Sequence, residues 1–473
     1  MLVRTKRVVK FFRNAVKDPL PRRRTLEFVA ADIESNAIVF RYTAKGCAFA
    51  VRMTVPDHLM EELSALRGQS CLEQALLAIG LTFAARFFKL SNFSTVRVGF
   101  GSLDPESVYF FEDFFVGGLG EFRFLQGLDP RRKVSVVSAP EAAFNMAEFP
   151  LHEHALMLNG GGKDTIVAAE MLRRAGQSFT WLTVEPNETR RRVIRCAGGG
   201  DSAIEVDFRI EGDFEQNQAY GWGHTPYAAI VMAIGALFAL LTRSRYVISG
   251  NELSADSGNV VYRGHLVNHQ YSKSSVHELG FWKFVRRRIH PSMEVLSVLR
   301  PFHDVQLAML FSSLDRYFGT FVSCNSGIAG GRWCKQCPKC AFTALAIGAF
   351  TGVSGLRRIF GEDVLGSPRI RRRIGELVEG RIKPWECVGS RDECLLALAL
   401  LLEKEPTLDF DENPMRADWV RMTANANLDL LRHQLLVQTS DRHLLPEQLR
   451  VPLDETLMGW SGRDLRVSPS TLR

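Results

Sequence analysis

The stretch Ala155–Gly176, ALMLNGGGKDTIVAAEMLRRAG, decides the fold. Ala155–Leu158 is an apolar run and reads as a short buried strand. Ile166, Val167, Ala169, Glu170, Met171 and Leu172 then carry the pattern of an amphipathic helix. Two arginines fall in its last turn, and Gly176 stands where a left-handed residue ends a helix. Three glycines, Lys163 and Asp164 therefore occupy a strand-to-helix turn. Such a turn also occurs as a plain loop. Its chemical reading is an anion site, because backbone N–H groups and the positive end of the helix dipole converge there. Glycine lets a ligand approach the backbone with no Cβ in the way. The turn fits neither G-x-x-x-x-G-K-[ST] nor G-x-G-x-x-G.

Outward from this turn, strands and helices alternate. SFTWLTV is a strand, a helix follows near 188–197, and a short strand covers 203–208. Thr225-Pro226 opens a helix over 226–242, and the strand YVISG comes next. This is the pattern of an α/β fold with a doubly wound parallel sheet, whose ligands sit at the carboxyl ends of the strands. Upstream, Thr25–Val55 alternates apolar and polar residues as a β-meander, and Met60–Leu90 is helical. A glycine-rich segment at Gly117–Gly120 leads into further helix or loop, and a boundary falls near Ser138-Ala139-Pro140. Beyond Phe350 the pattern is helical and amphipathic. The expected division is a basic arm over 1–24, an α+β domain over 25–148, the α/β domain over 149–350 and a helical region over 351–473.

At 473 residues, 46% hydrophobic and 23% charged, the chain has the composition of a soluble globular protein with room for two or three domains. The net charge of +7 belongs to the arm: residues 1–24 hold nine Lys/Arg against Asp18, which leaves the body near −1. A nucleic-acid-binding body is therefore not expected, whereas the arm can meet an anionic partner. The apolar run Tyr227–Leu241 is too short for a membrane span and reads as a core helix, so no integral membrane segment is expected. No secretory signal is visible, and nine cysteines suit a reducing, cytoplasmic setting.

Two further segments carry chemistry. Ser249–Glu278 follows a strand and is rich in Asn, Glu, His, Gln, Tyr and Lys. It reads either as a solvated loop or as a surface facing the glycine turn, where Glu252, His269, Tyr271 and Lys273 could contact substrate and move protons. Cys324, Cys334, Cys337 and Cys340 have the spacing C-x9-C-x2-C-x2-C. Four thiolates in a knuckle can close a tetrahedral zinc shell with no open position, which makes the metal structural. Reduced, metal-free thiols are the alternative.

The turn resembles the pyrophosphate loop of the N-type ATP pyrophosphatases, S-G-G-x-D-S, read here as Gly160-Gly161-Gly162-Lys163-Asp164-Thr165. Gly160 replaces the first serine, leaving that contact to the backbone or to Asn159. Thr165 replaces the last serine and keeps its hydroxyl. The deazaguanine nitrile synthases of queuosine biosynthesis carry a similar cysteine set behind a similar loop. More narrowly, LNGGGKDTIVAAEMLRRAG, SGNELSADSGNVVYRGHLVNHQYSKS, SVLRPFHDVQLA, CNSGIAGGRWCKQCPKCAF and KPWECVG resemble, in order, blocks of the MurL family of ATP-dependent epimerases. The similarity runs from about residue 150 to 395. Leu253 departs from it, standing where an arginine is expected after Asn251-Glu252.

The resemblance implies inversion of the terminal L-glutamate of UDP-N-acetylmuramoyl-L-alanyl-L-glutamate, a peptidoglycan precursor, with ATP consumed to AMP and diphosphate and Mg²⁺ as cofactor. Adenylating the carboxylate removes the charge that would oppose a carbanion at Cα and makes that carbon enolisable. On this scheme Gly160–Gly162 and Thr165 bind phosphate, Lys163 stabilises its charge, and Asp164 helps to hold Mg²⁺. Another adenylating enzyme of the class, forming a nitrile or amide or modifying tRNA, and a non-catalytic nucleotide-binding module remain the alternatives.

Overall fold

The computed structural model describes residues 24–140, 144–199, 203–212, 214, 218–220, 223–327, 330–380, 383–406, 408, 415–461, 467 and 469–472. The basic arm, save Arg24, lies outside them.

The meander forms as β1 (Thr25–Ile33), β2 (Ala37–Ala44) and β3 (Cys47–Thr54), paired antiparallel. Helix α1 (Ser70–Ala84) follows, with nearly every side chain buried. Strand β4 (Thr95–Ser102) pairs parallel to β1. Helix α2 (Pro105–Gly118) starts with Asp104, whose side chain accepts the Ser107 N–H, and Pro105 in the first turn. After α3 (Gly120–Leu125), β5 (Ser135–Ala139) lies parallel to β4 at the edge of the sheet.

The second sheet begins at β6 (His152–Leu158), the strand of the opening stretch. Helix α4 (Lys163–Arg174), β7 (Phe179–Val184), α5 (Glu188–Cys196) and β8 (Ala203–Val206) follow as expected. Only Asp207 then separates β8 from β9 (Phe208–Gly212), which leaves this sheet and pairs antiparallel with β3 of the first. Helix α6 (Tyr227–Leu241), β10 (Ser244–Ser249), the hairpin β11–β12 (Val260–Tyr262 and His265–Val267), α7 (Ser275–Arg288) and β13 (Glu294–Ser297) complete the α/β run. The first sheet is ordered β5-β4-β1-β2-β3-β9, and the second β13-β10-β6-β7-β8 with all strands parallel. In the parallel sheet the connections reverse direction between β6 and β10, so the crevice beyond those two strand ends is the expected ligand site.

Alternation along the strands divides the core in two. Leu156, Leu158, Leu182, Val184, Val247 and Val295 face α6, α1 and the first sheet. Ala155, Met157, Trp181, Tyr246, Ile248 and Leu296 face the side covered by α4, α8 (Asp304–Ser312) and α9 (Pro338–Phe360). Each fully buried Leu, Val or Met adds roughly 1.5–3 kcal/mol. The polar segment Ser249–Glu278 is ordered by short helical turns at Leu253–Asp256 and Tyr271–Lys273 and by the hairpin. Ser70–Lys89 and Pro338–Phe360 are long and apolar enough to cross a membrane, but the most apolar part of each is mostly buried inside the protein, as in core helices.

Candidate active site at the switch point

The glycine turn is built by its own side chains. Asn159 Oδ1 accepts the Gly161 N–H at 3.0 Å, and its Nδ2 donates to Thr183 Oγ1 and to the Arg190 carbonyl on α5, both at 3.1 Å. Thr165 Oγ1 accepts the Gly160 N–H at 3.1 Å, closing the turn over the first residue of the motif. Gly161 has φ +75°, and a Cβ there would meet Arg190 Cγ at 3.1 Å, so glycine is required. Gly162 caps α4 without a side-chain hydrogen bond. Among the described residues, the N–H groups of Lys163, Asp164 and Thr165 therefore have no intrahelical or capping partner, at the crevice end of the helix.

Carboxylates crowd this helix end. The Lys163 ammonium is buried and bonded to both Asp164 and Asp304, the first residue of α8. Burial alone would lower its pKa, but the two carboxylates outweigh that and hold its proton. Burial raises the Asp304 carboxyl against the pull of Lys163. Across the crevice, Gly250 follows β10, and a Cβ there would lie 3.2 Å from the Asp164 carbonyl oxygen, so the two loops touch. This brings Glu252 to the site. It is 3% exposed, its Oε2 has no hydrogen-bond partner among the described residues, and burial followed by the charge of Asp164 raises its carboxyl.

Arg300, fully buried, fixes this side of the crevice. Its Nη1 donates to the Glu252 carbonyl and its Nη2 to Glu278 Oε2, both at 2.8 Å, and Nη2 also bonds the Lys273 carbonyl. Lys273 and Glu252 are thus held together by their backbones, and their side chains interact. His269 is tied through Nδ1 to Glu121 on α3 of the first sheet's domain. Its ring lies 4.6 Å from that of His224. Burial would lower the imidazole, but Cys387 and Glu121 raise it to about 9.

Tyr271 goes elsewhere. Its hydroxyl donates to Asp113 Oδ2 on α2 at 2.5 Å, and it lines a separate cavity with Tyr109 and Lys283. The crevice thus gathers Asn159, Gly160–Gly162, Lys163, Asp164, Thr165, Glu252 and Lys273, with His269 reaching it through Cys387.

The four knuckle cysteines do converge. Cys324 and Cys337 are 3.9 Å apart, Cys334 and Cys340 3.7 Å, and Cys337 and Cys340 3.5 Å, as a group that could hold a metal ion. Cys337 also caps α9, accepting the Cys340 N–H at 3.4 Å.

With this geometry in place, the comparisons with known proteins are decisive. The MurL N-terminal domain model matches residues 21–298, and the MurL C-terminal domain model matches 320–428. The chain belongs to the MurL family. Among its relatives is a UDP-N-acetyl-alpha-D-muramoyl-L-alanyl-L-glutamate epimerase of Xanthomonas oryzae pv. oryzae, 33% identical over 348 residues, covering 71% of this chain and 76% of that protein. Enzymes of the same name from Micromonospora sp. and Salinispora tropica are 36% and 35% identical over 53% and 52% of this chain, and 57% and 55% of theirs.

Within this MurL chain, sequence reasoning did not single out several residues that the fold brings to the crevice. Asp304 lies in SVLRPFHDVQLA and Cys387 in KPWECVG, segments that were informative as blocks but whose side chains had no local signal. Arg300 shares the first of those blocks. Glu121, beside the Gly117–Gly120 run, had none at all.

Proposed function

We propose that the protein is an ATP-dependent epimerase that inverts the terminal L-glutamate of UDP-N-acetylmuramoyl-L-alanyl-L-glutamate in peptidoglycan precursor synthesis. Membership of the MurL family and the names of its relatives support the substrate and the isomerase activity. The observation that carries the ATP-dependent mechanism is the uncapped N-terminus of α4, opening at the switch point of a parallel sheet behind a turn whose φ +75° needs glycine. An α/β unit over 149–350 would then be the ATP-binding catalytic part.

In this reading the N–H groups at the start of α4 bind ATP phosphate oxygens, and Asn159 and Thr165 hold the turn in shape for them. Asp164, whose side chain is partly exposed at the crevice, would hold Mg²⁺, which would offset the negative charge of the phosphates. Lys163 is anchored between Asp164 and Asp304 and supplies the compensating positive charge from beneath. The glutamate carboxylate is adenylated, and the acidified Cα–H is removed on one face and restored on the other. Hydrolysis of the adenylate makes the inversion one-directional. Glu252 and Lys273 sit beside the reacting end of the substrate, and His269 sits behind them. Tyr271, turned towards Asp113, has a supporting place at the start of α7.

The knuckle would hold a structural zinc. Four thiolates at Zn–S bonds of about 2.3 Å lie about 3.8 Å apart on the edges of a tetrahedron. Three of the sulfur–sulfur separations, at 3.5–3.9 Å, match that edge, and all four sulfurs lie within 4.8 Å of one another.

Incubating the protein with ATP, Mg²⁺ and the UDP-muramoyl dipeptide, followed by chiral analysis of the glutamate and assay of AMP, tests the reading. D-glutamate with matching AMP is the expected result. ATP turnover without inversion would favour another adenylating chemistry.

A further inference from the structure

The segment carrying Cys387 is anchored at each of the four residues that precede it. Asn259 Nδ2 donates to the carbonyls of Lys383 and Pro384 at 3.2 and 2.8 Å, while its Oδ1 accepts the His269 N–H at 2.7 Å. Lys383 Nζ donates to the carbonyls of Ser254 and Ser257 at 3.3 and 3.4 Å. The Trp385 ring packs 5.1 Å from that of Phe124 on α3, the helix that also presents Glu121 to His269. Glu386 Oε2 accepts the Lys339 N–H at 2.9 Å, at the start of α9 beside the knuckle. Asn259 thus ties the backbone just before Cys387 to that of His269, and the half-buried Cys387 thiol interacts with both the His269 imidazole and the Lys273 side chain.

A cysteine so placed has no evident structural task. It forms no disulfide and lies outside the four-cysteine group. Burial would raise its thiol, yet Lys273, Lys339 and His269 together hold it well below its ordinary value. A buried polar atom without a hydrogen-bond partner among the described residues belongs to a group that interacts with the same lysine: Oε2 of Glu252. Two proton-carrying groups of different chemistry therefore share Lys273, which also feels the charge of Asp164 beside the phosphate turn.

We propose that Cys387 is a catalytic residue that exchanges the glutamate Cα proton, a role that rests on the epimerase reading above. The substrate at this step is the acyl adenylate formed from ATP and the dipeptide carboxylate. The Cα–H bond breaks, its electron pair moves into the enolate of the mixed anhydride, and an S–H bond forms at Cys387. Glu252 then gives its proton to the opposite face of Cα, restoring the C–H bond and leaving a carboxylate. Lys273, between the two, stabilises first the thiolate and the enolate and then the carboxylate. Water subsequently hydrolyses the adenylate to AMP and the D-glutamyl product, and one proton passes from thiol to carboxylate to reset the pair. His269, fixed by Glu121, is a positioning residue for the thiolate.

The test uses the full chain with ATP, Mg²⁺ and UDP-N-acetylmuramoyl-L-alanyl-L-glutamate in D₂O. AMP, α-deuterium and glutamate configuration are read separately. For Cys387→Ala and Cys387→Ser the expected result is AMP formation near the wild-type rate, with inversion and α-deuteration lower by about a hundredfold or more. A Cys387→Ala protein that inverts glutamate at the wild-type rate overturns the assignment. So does one that keeps the wild-type melting temperature but loses AMP formation together with inversion. Wild-type protein that makes neither AMP nor D-glutamate overturns the epimerase reading itself, and the assignment with it. Should the variants not fold, alkylation of wild-type protein by iodoacetamide near neutral pH decides. Cys387 should be labelled in the free protein and protected by the dipeptide substrate with a non-hydrolysable ATP analogue. Equal labelling with and without them overturns the proposal.

Discussion

Arg300 donates to the carbonyl oxygen of Glu252 at 2.8 Å from a position with no solvent exposure. The same guanidinium binds the Glu278 carboxylate, so the loop after β10 is anchored to α7 by one charge. Replacing Arg300 with methionine leaves Glu278 buried and unpaired. The variant should lose about 3–5 kcal/mol of stability in urea unfolding. Adding Glu278→Gln should recover part of that loss, since the stranded charge is then removed. A single Arg300→Met variant as stable as wild type would show that the contact is not needed.

The phosphate turn gives a sharper separation of activity from stability. Asp164 has a partly exposed side chain at the start of α4 and lies outside the core. Asp164→Ala should abolish AMP and diphosphate formation while moving the melting temperature by no more than a few degrees. ATP cleavage near the wild-type rate in this variant would remove Asp164 from the metal-binding role.

Metal content is directly measurable. Protein purified without chelator should carry about one zinc per chain. Cys337→Ser should lose both the metal and thermal stability, because Cys337 is at once a thiolate of the group and the cap of α9. A zinc-free protein of full stability would contradict the assignment.

The effect of His269 on the pH dependence of stability has a definite sign. Against burial, Cys387 and Glu121 raise the His269 imidazole to about 9, above its ordinary value of about 6.5. A group raised in the folded state stabilises fully below its unfolded pKa and loses that contribution as pH climbs through the folded value. The His269 contribution should therefore fall between about pH 6.5 and 9. It is opposed over the same interval by the Cys387 thiol, which is held low and adds stability as pH rises. His269→Gln should therefore make stability rise more steeply with pH than in wild type. Denaturant titrations at pH 6, 7.5 and 9 would reveal a His269→Gln profile parallel to wild type if the histidine does not contribute.

Much of this architecture was legible because its signals are local. The strand, turn and helix around Gly160–Gly162 follow from periodicity and glycine placement within about twenty residues, and the four cysteines announce themselves by spacing. The parallel sheet follows from the alternation of elements. What was not legible is carried by long-range pairing. Asp304 meets Lys163 across 141 positions, and Glu121 meets His269 across 148. Cys387 reads as an isolated cysteine until Asn259 draws Lys383–Pro384 against His269. Tyr271 shares its polar segment with Lys273 only two residues away, yet the short helical turn aims its hydroxyl at Asp113. The β9 strand looked like a continuation of β8, since a single residue between them carries no mark of a change of sheet.

That single residue bears on how the protein can be made. From Phe49 to Met53, the outer edge of β3 is closed, among the described residues, by Phe208–Gly212. During synthesis, the first sheet must therefore wait with an unpaired edge until more than 150 further residues have left the ribosome. A fragment ending near residue 148 would expose that edge permanently, inviting intermolecular strand pairing and insoluble product. Supplying the missing strand, either as a fused peptide or by extending the fragment beyond Gly212, should restore a soluble N-terminal half.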